Sequence, residues 1–234
     1  MLFQDLADRV AEVQAKIAAA VSRGGHGQKV TIIAVTKTHG PSAVDAAYHA
    51  GLHDVGENRV PEAVKKMESV TVPVRWHLIG HLQRNKVKEI ERFTLVHSVD
   101  SARLADAVSG FGIARHRAVE GLVQVSVVGE ETKGGFPLAE LAAEAERFTA
   151  RAGLRVMGVM TMAPLDANER TLRQVFRGAR EARDVMVSAG HPADALSMGM
   201  SDDFEIAVEE GATMVRLGTV LFGARGTWPT NPFI

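Results

Sequence analysis

Eight short apolar runs, each followed by a turn and then by a stretch of helical periodicity, constrain this chain more than any other feature. The runs lie at about 30–37, 52–57, 74–79, 94–99, 121–128, 154–162, 195–198 and 213–217. Helical stretches fall between them at about 41–50, 60–67, 82–92, 101–110, 138–152, 168–188 and 203–210. A nearly continuous apolar run bounded by turn residues reads as a strand buried on both faces, as in a parallel sheet. Ahead of the first run, Phe3, Leu6, Val10, Val13, Ile17 and Val21 recur at steps of three and four, one face of an amphipathic helix over 2–21. Eight strands alternating with seven helices, and preceded by one more, can close as a single (β/α)8 barrel of the TIM type. No composition shift or linker interrupts the alternation, so one domain is expected over 1–234, with the leading helix at 1–22, the barrel at 30–225 and a tail at 226–234. The competing architecture is an open doubly wound sheet, whose mark is a glycine-rich phosphate loop after the first strand. Here that strand runs into Lys37-Thr38-His39-Gly40-Pro41 instead.

Composition narrows the function classes. With no cysteine among 234 residues, disulfides and thiolate metal sites are excluded. A formal net charge of −1 offers no global field for nucleic acid or an anionic membrane. There is neither a basic leader with an apolar core nor an apolar segment long enough to span a bilayer, so a cytoplasmic protein is expected.

Barrels place their chemistry at the C-terminal ends of the strands. Those ends offer Lys37, Asn58, His81 with His77 shortly before it, Ser98, Met162, Ser201 and the run Arg216-Leu217-Gly218-Thr219. Phosphate sites tend to follow strands seven and eight, where Ser201 and Gly218-Thr219 fall. A phosphate seat facing a lysine across one mouth suggests a ligand with a phosphate at one end and a carbonyl at the other. Pyridoxal 5′-phosphate (PLP) fits, because a lysine amine condenses with its aldehyde and partial burial favours the neutral amine that attacks. Arg216 lies two residues before Gly218, on the same inward face, where a cation can meet the pyridine nitrogen. A guanidinium keeps that nitrogen unprotonated and weakens the electron sink of PLP carbanion chemistry.

Thr36-Lys37, Gly56-Glu57-Asn58, Trp76-His77-Leu78-Ile79-Gly80, Leu196-Ser197-Met198-Gly199-Met200-Ser201-Asp202-Asp203 and Val215-Arg216-Leu217-Gly218-Thr219 with Phe222-Gly223-Ala224-Arg225 occur in one order along the chain. Together they resemble the pyridoxal phosphate homeostasis protein family, similar in fold to the N-terminal barrel of alanine racemase. The resemblance spans roughly 30–225. It implies a PLP fold type III barrel without a C-terminal β-domain, with Lys37 as the PLP lysine holding a Schiff base. It also implies Ser201, Gly218 and Thr219 on the phosphate, Arg216 at the pyridine nitrogen and Asn58 along the ring. Met200, preceding Ser201, and His77 are further cofactor-lining candidates. Two positions depart from the family pattern: Pro61 replaces a glutamine, and Gly135 stands where serine is frequent.

Each residue also has a plainer reading. Arg216 could pair with Glu57 inside the barrel, and Asn58 could cap a helix. His77 and His81 resemble a metal pair but lack a carboxylate at matching spacing. Met157, Met160, Met162, Met198 and Met200 suit core filling. Asp202-Asp203 would cap the helix after strand seven, and Arg84, Lys86 and Lys88 would form a solvated face. In the racemase a tyrosine from a C-terminal β-domain supplies the opposing acid/base. Only a short tail follows Phe222 here, and Tyr48, the single tyrosine, falls mid-helix. The expectation is therefore a monomeric carrier or buffer for PLP that passes it to apo-enzymes, with no catalytic residue and no metal. A PLP-dependent racemase or lyase is the alternative, and a Schiff-base enzyme acting on a phosphorylated sugar without PLP is a third.

Overall fold

The computed structural model describes residues 3–128 and 134–223. Eight parallel strands close on themselves: β1 (Thr31–Val35), β2 (Asp54–Glu57), β3 (Arg75–Leu78), β4 (Leu95–Val99), β5 (Val119–Ser126), β6 (Leu154–Met160), β7 (Ala195–Ser197) and β8 (Met214–Leu217). Each pairs with its sequence neighbours, and β8 closes on β1 with Ile33 opposite Arg216. Two residues, Phe136–Pro137, extend the sheet beside the end of β5. The alternation read from the sequence is thus a barrel and not an open sheet.

Around it lie α1 (Leu6–Gly24), α2 (Pro41–His49), α3 (Val60–Ser69), a 3₁₀ helix (Arg84–Arg92), α4 (Ala102–Ala114), α5 (Leu141–Thr149), α6 (Glu169–Ser188), α7 (Phe204–Glu209) and α8 (Thr219–Phe222). Helix α1 buries Leu6, Val10, Val13, Ile17 and Ala20, and Val21 packs half-buried against the same core. Its end is set by Gly25 at φ 71, and Gly24 lies so close to Glu209 that a Cβ would meet that backbone oxygen at 2.4 Å. Ser101 and Asn168 cap α4 and α6 through their side chains, on the N–H groups of Leu104 and Thr171.

Two expected elements differ. The α-helix anticipated over 82–92 is a 3₁₀ helix, because its buried residues Val87 and Ile90, and Phe93 just beyond, recur every three positions. The first strand stops two residues short of Lys37, since the Thr36 carbonyl accepts from His39 N–H and from Lys66 Nζ. Asp203 stands at the start of α7, but its carboxylate accepts from the Met200 N–H rather than capping the helix.

Side chains facing outward from the strands pack with the helices into the main core, while Leu95, Leu122 and Met160, with Met157, Met162 and Met214, fill part of the barrel interior. Met198 belongs to the outer core. Of the methionines expected as filler, Met157, Met160 and Met162 thus pack inside the barrel.

Candidate functional site

At the C-terminal ends of the strands lies a cavity of about 380 Å³. Most of the expected residues reach it: Lys37 after β1, Asn58 after β2, His81 after β3, Met162 after β6, Met200 and Ser201 after β7, and Arg216, Gly218 and Thr219 from β8 onward. Ser98 does not; its hydroxyl donates to the Gly80 carbonyl at 2.7 Å. Val35, His39, Asp100, Gln124 and Asp202 also line the cavity.

Lys37 is half-buried in a turn held from behind. Thr38 adopts φ 66, rare for a β-branched residue, and its N–H donates to the Glu62 carboxylate at 3.0 Å. Behind the turn, Thr36 Oγ1 donates to Glu57 Oε1 at 2.6 Å, and Lys66 Nζ donates to both Glu57 Oε1 and the Thr36 carbonyl. Burial pushes the Glu57 carboxyl up, against the pull of Lys66 and Thr36. Its Oε2 has no partner among the described residues. Glu57 is thus committed to Lys66 and not to Arg216. Pro61 sits in the first turn of α3, where a missing N–H is harmless.

Arg216 is buried and held by oxygen atoms: Nη1 donates to the Ser197 carbonyl at 2.8 Å and to Ser197 Oγ at 2.7 Å, and Nη2 to the Thr161 carbonyl at 3.0 Å. Burial lowers its guanidinium to about 10, which leaves it cationic at neutral pH. Ser201 Oγ accepts from the N–H groups of Gly218 and Val220, each at 3.3 Å. Hydroxyls and backbone donors therefore converge beside the cavity where an anionic group would need them.

His77, expected to line a cofactor, does not reach the cavity. It is buried in the barrel interior with Nε2 on Asp54 at 2.9 Å and Nδ1 on His97 at 2.9 Å. His81 is at the mouth with Nδ1 on Asp100 at 2.8 Å, so the two histidines form no pair. Asn58 is not a cap, since Arg59 precedes the first turn of α3. Tyr48 packs edge-on against His53, which borders a second cavity at the opposite end of the barrel. Lys133 and the segment 224–234 lie outside the described residues, whereas Gly135 is described, at φ 115, where glycine is the natural occupant.

Sequence reasoning missed Glu62 and Lys66, which hold the lysine turn, and Asp100 and Gln124 in the cavity wall. Asp100 directly follows β4 and was recoverable from the strand-end rule; Lys66 sits in a helix with charged neighbours, and nothing in that pattern marks it as buried.

The donor set suits PLP: an amine, a cation, and hydroxyl and backbone donors line one cavity. Residues 9–226 match the family model for the alanine racemase N-terminal domain. The chain is 40% identical over 222 residues to the pyridoxal phosphate homeostasis protein of Aquifex aeolicus, covering 93% of this chain and 97% of that one. Against the protein of the same name from Pseudomonas aeruginosa it is 40% identical over 223 residues, covering 94% and 96%. Among solved structures, PipY of Synechococcus elongatus with PLP bound superposes with a TM-score of 0.83 at 34% identity, covering 93% of this chain and 100% of that chain.

Proposed function

This chain belongs to the pyridoxal phosphate homeostasis protein family, and we propose on that footing that it holds PLP as a Schiff base on Lys37 and acts as a reversible carrier in PLP homeostasis. The observation that carries the reading is the single cavity bordered at once by Lys37, Arg216, Ser201, Gly218 and Thr219. When bound, PLP supplies a reactive aldehyde and an electron-withdrawing ring. Lys37 would supply the amine that condenses reversibly with that aldehyde, one C=N bond replacing the C=O bond with loss of water. Ser201, Gly218 and Thr219, which line this cavity, would bind the phosphate through hydroxyl and N–H donors; Arg216 would meet the pyridine nitrogen and Asn58 the ring, with exposed Met200 at the mouth. A guanidinium that stays charged donates to that nitrogen and does not protonate it, which favours storage over carbanion chemistry.

The reading extends to a cytoplasmic protein, monomeric in solution, whose recipients are apo PLP-dependent enzymes. Replacing Lys37 by alanine tests the covalent half: the variant, purified away from unbound PLP, should lack the yellow absorbance that wild type keeps. Retention of that absorbance rejects Lys37 as the attachment point. A racemase or lyase is the second reading, and the His81–Asp100 pair at the mouth is what favours it, as a positioned proton carrier. Incubation with L-alanine or L-serine in deuterium oxide separates the two, because a carrier leaves the α-proton in place and an enzyme exchanges it.

A further inference from the structure

A continuous hydrogen-bonded chain runs through the barrel interior from the cavity toward the other end. Arg216 Nη1 meets Ser197 Oγ at 2.7 Å, Ser197 Oγ meets His97 Nδ1 at 2.8 Å, His97 Nε2 meets His77 Nδ1 at 2.9 Å, and His77 Nε2 meets Asp54 Oδ1 at 2.9 Å. All five residues are buried, in a barrel interior otherwise filled by residues such as Leu122 and Met160. Asp54 is also held by Arg75, and both border the second cavity, of about 590 Å³, at the N-terminal end of the strands.

The donors and acceptors in this chain can be ordered. Ionised Asp54 can only accept, so His77 carries a proton on Nε2. Arg216 can only donate, so Ser197 Oγ accepts from it. The Ser197 hydroxyl proton then needs an acceptor, and His97 Nδ1 is the atom in reach. That leaves the His97 proton on Nε2, donated to His77 Nδ1. The opposite order would put a proton on His97 Nδ1, strand the serine proton and make His77 an imidazolium. Burial drives His97 well below its ordinary 6.5, which agrees with a neutral ring.

We propose that Ser197, His97, His77 and Asp54 are positioning residues that fix Arg216 on the cavity through one directed chain, Arg216 to Ser197 to His97 to His77 to Asp54. Every donor points away from the cavity, so the chain joins the Arg216 cation to the Asp54 carboxylate through neutral groups, each polarising the next. Orientation of the guanidinium is the consequence. This role rests on the reading that Arg216 meets the pyridine nitrogen; the chain itself does not.

Two measurements test it. Nitrogen-15 spectra of the histidine rings in the full chain without PLP should show His77 and His97 neutral at pH 7, each with its proton on Nε2. An imidazolium at His77, or a His97 proton on Nδ1, overturns the ordering. For the link to the cofactor, PLP is titrated into wild type, Ser197→Ala and Ser197→Thr. Loss of the hydroxyl should weaken binding about three- to tenfold and shift the bound absorbance, with threonine restoring both. Ser197→Ala superimposing on wild type overturns the positioning role. Should wild type itself take up no PLP, the functional reading fails, while the nitrogen-15 result still decides the chain. That spectrum uses wild type alone, so misfolding of a variant cannot shield the proposal.

Discussion

At the scale of single residues, the weight of the site falls on groups that never meet the ligand. Glu57 and Lys66 form a buried pair whose hydrogen bonds hold the Thr36 side chain and carbonyl, and so the turn that presents Lys37. Removing one partner of a buried pair leaves the other charge uncompensated. Lys66→Met should therefore lower unfolding free energy by about 3–5 kcal/mol in urea titrations. Lys66→Met combined with Glu57→Gln should recover much of the loss, and its failure to do so would place the damage elsewhere in α3. Asp54 gives the pH dependence. Burial pushes its carboxyl up, but hydrogen bonds from His77 and Arg75 outweigh that and hold it at about 2, below the ordinary 3.8. A depressed native pKa contributes stability in full above about pH 4, and that contribution drains as pH falls through 2. The stability gap between wild type and Asp54→Asn should accordingly be constant from pH 5 to 7 and shrink on acidification. A gap that widens below pH 4 would contradict the assignment. Lys37, Ser201 and the β8 run were legible because strand ends in a barrel have one place to go. The roles of His77 and Lys66 were not: the partners of His77 lie 20 and 23 residues away, and Lys66 meets Glu57 and the Thr36 carbonyl only once two strand ends and α3 are packed together.

At the scale of elements, β3 and the turn after it show how closely the site is packed. A Cβ on Gly80 would lie 2.3 Å from the backbone oxygen of Asn58, so the two strand ends touch through bare backbone. Gly80→Ala must push β2 and β3 apart at the cavity wall. A destabilisation of about 1–3 kcal/mol is expected, with PLP affinity falling alongside. An unchanged melting temperature would mean that the strand ends can separate freely. The helices were legible wherever their apolar spacing was unambiguous, as in α1 and α6. Over 84–92 the sequence indicated a helix but not its type, because two buried positions, Val87 and Ile90, are too few to separate a 3₁₀ from an α period.

For the whole molecule, closure of eight strands brings residues from opposite ends of the sequence to one mouth: Lys37 follows β1, and Arg216 lies on β8, which pairs with β1. The order of strands was legible from their alternation with helices. What lies inside the barrel was not, because a chain of polar side chains crossing an apolar interior depends on register between strands rather than on any one strand. The account stands on Lys37 as the covalent seat of PLP. Borohydride reduction of the PLP-loaded protein, followed by peptide mass mapping, tests this most directly. Reduction should fix one pyridoxyl-phosphate group on the peptide containing Lys37. A group found on another lysine, or on none, contradicts the account.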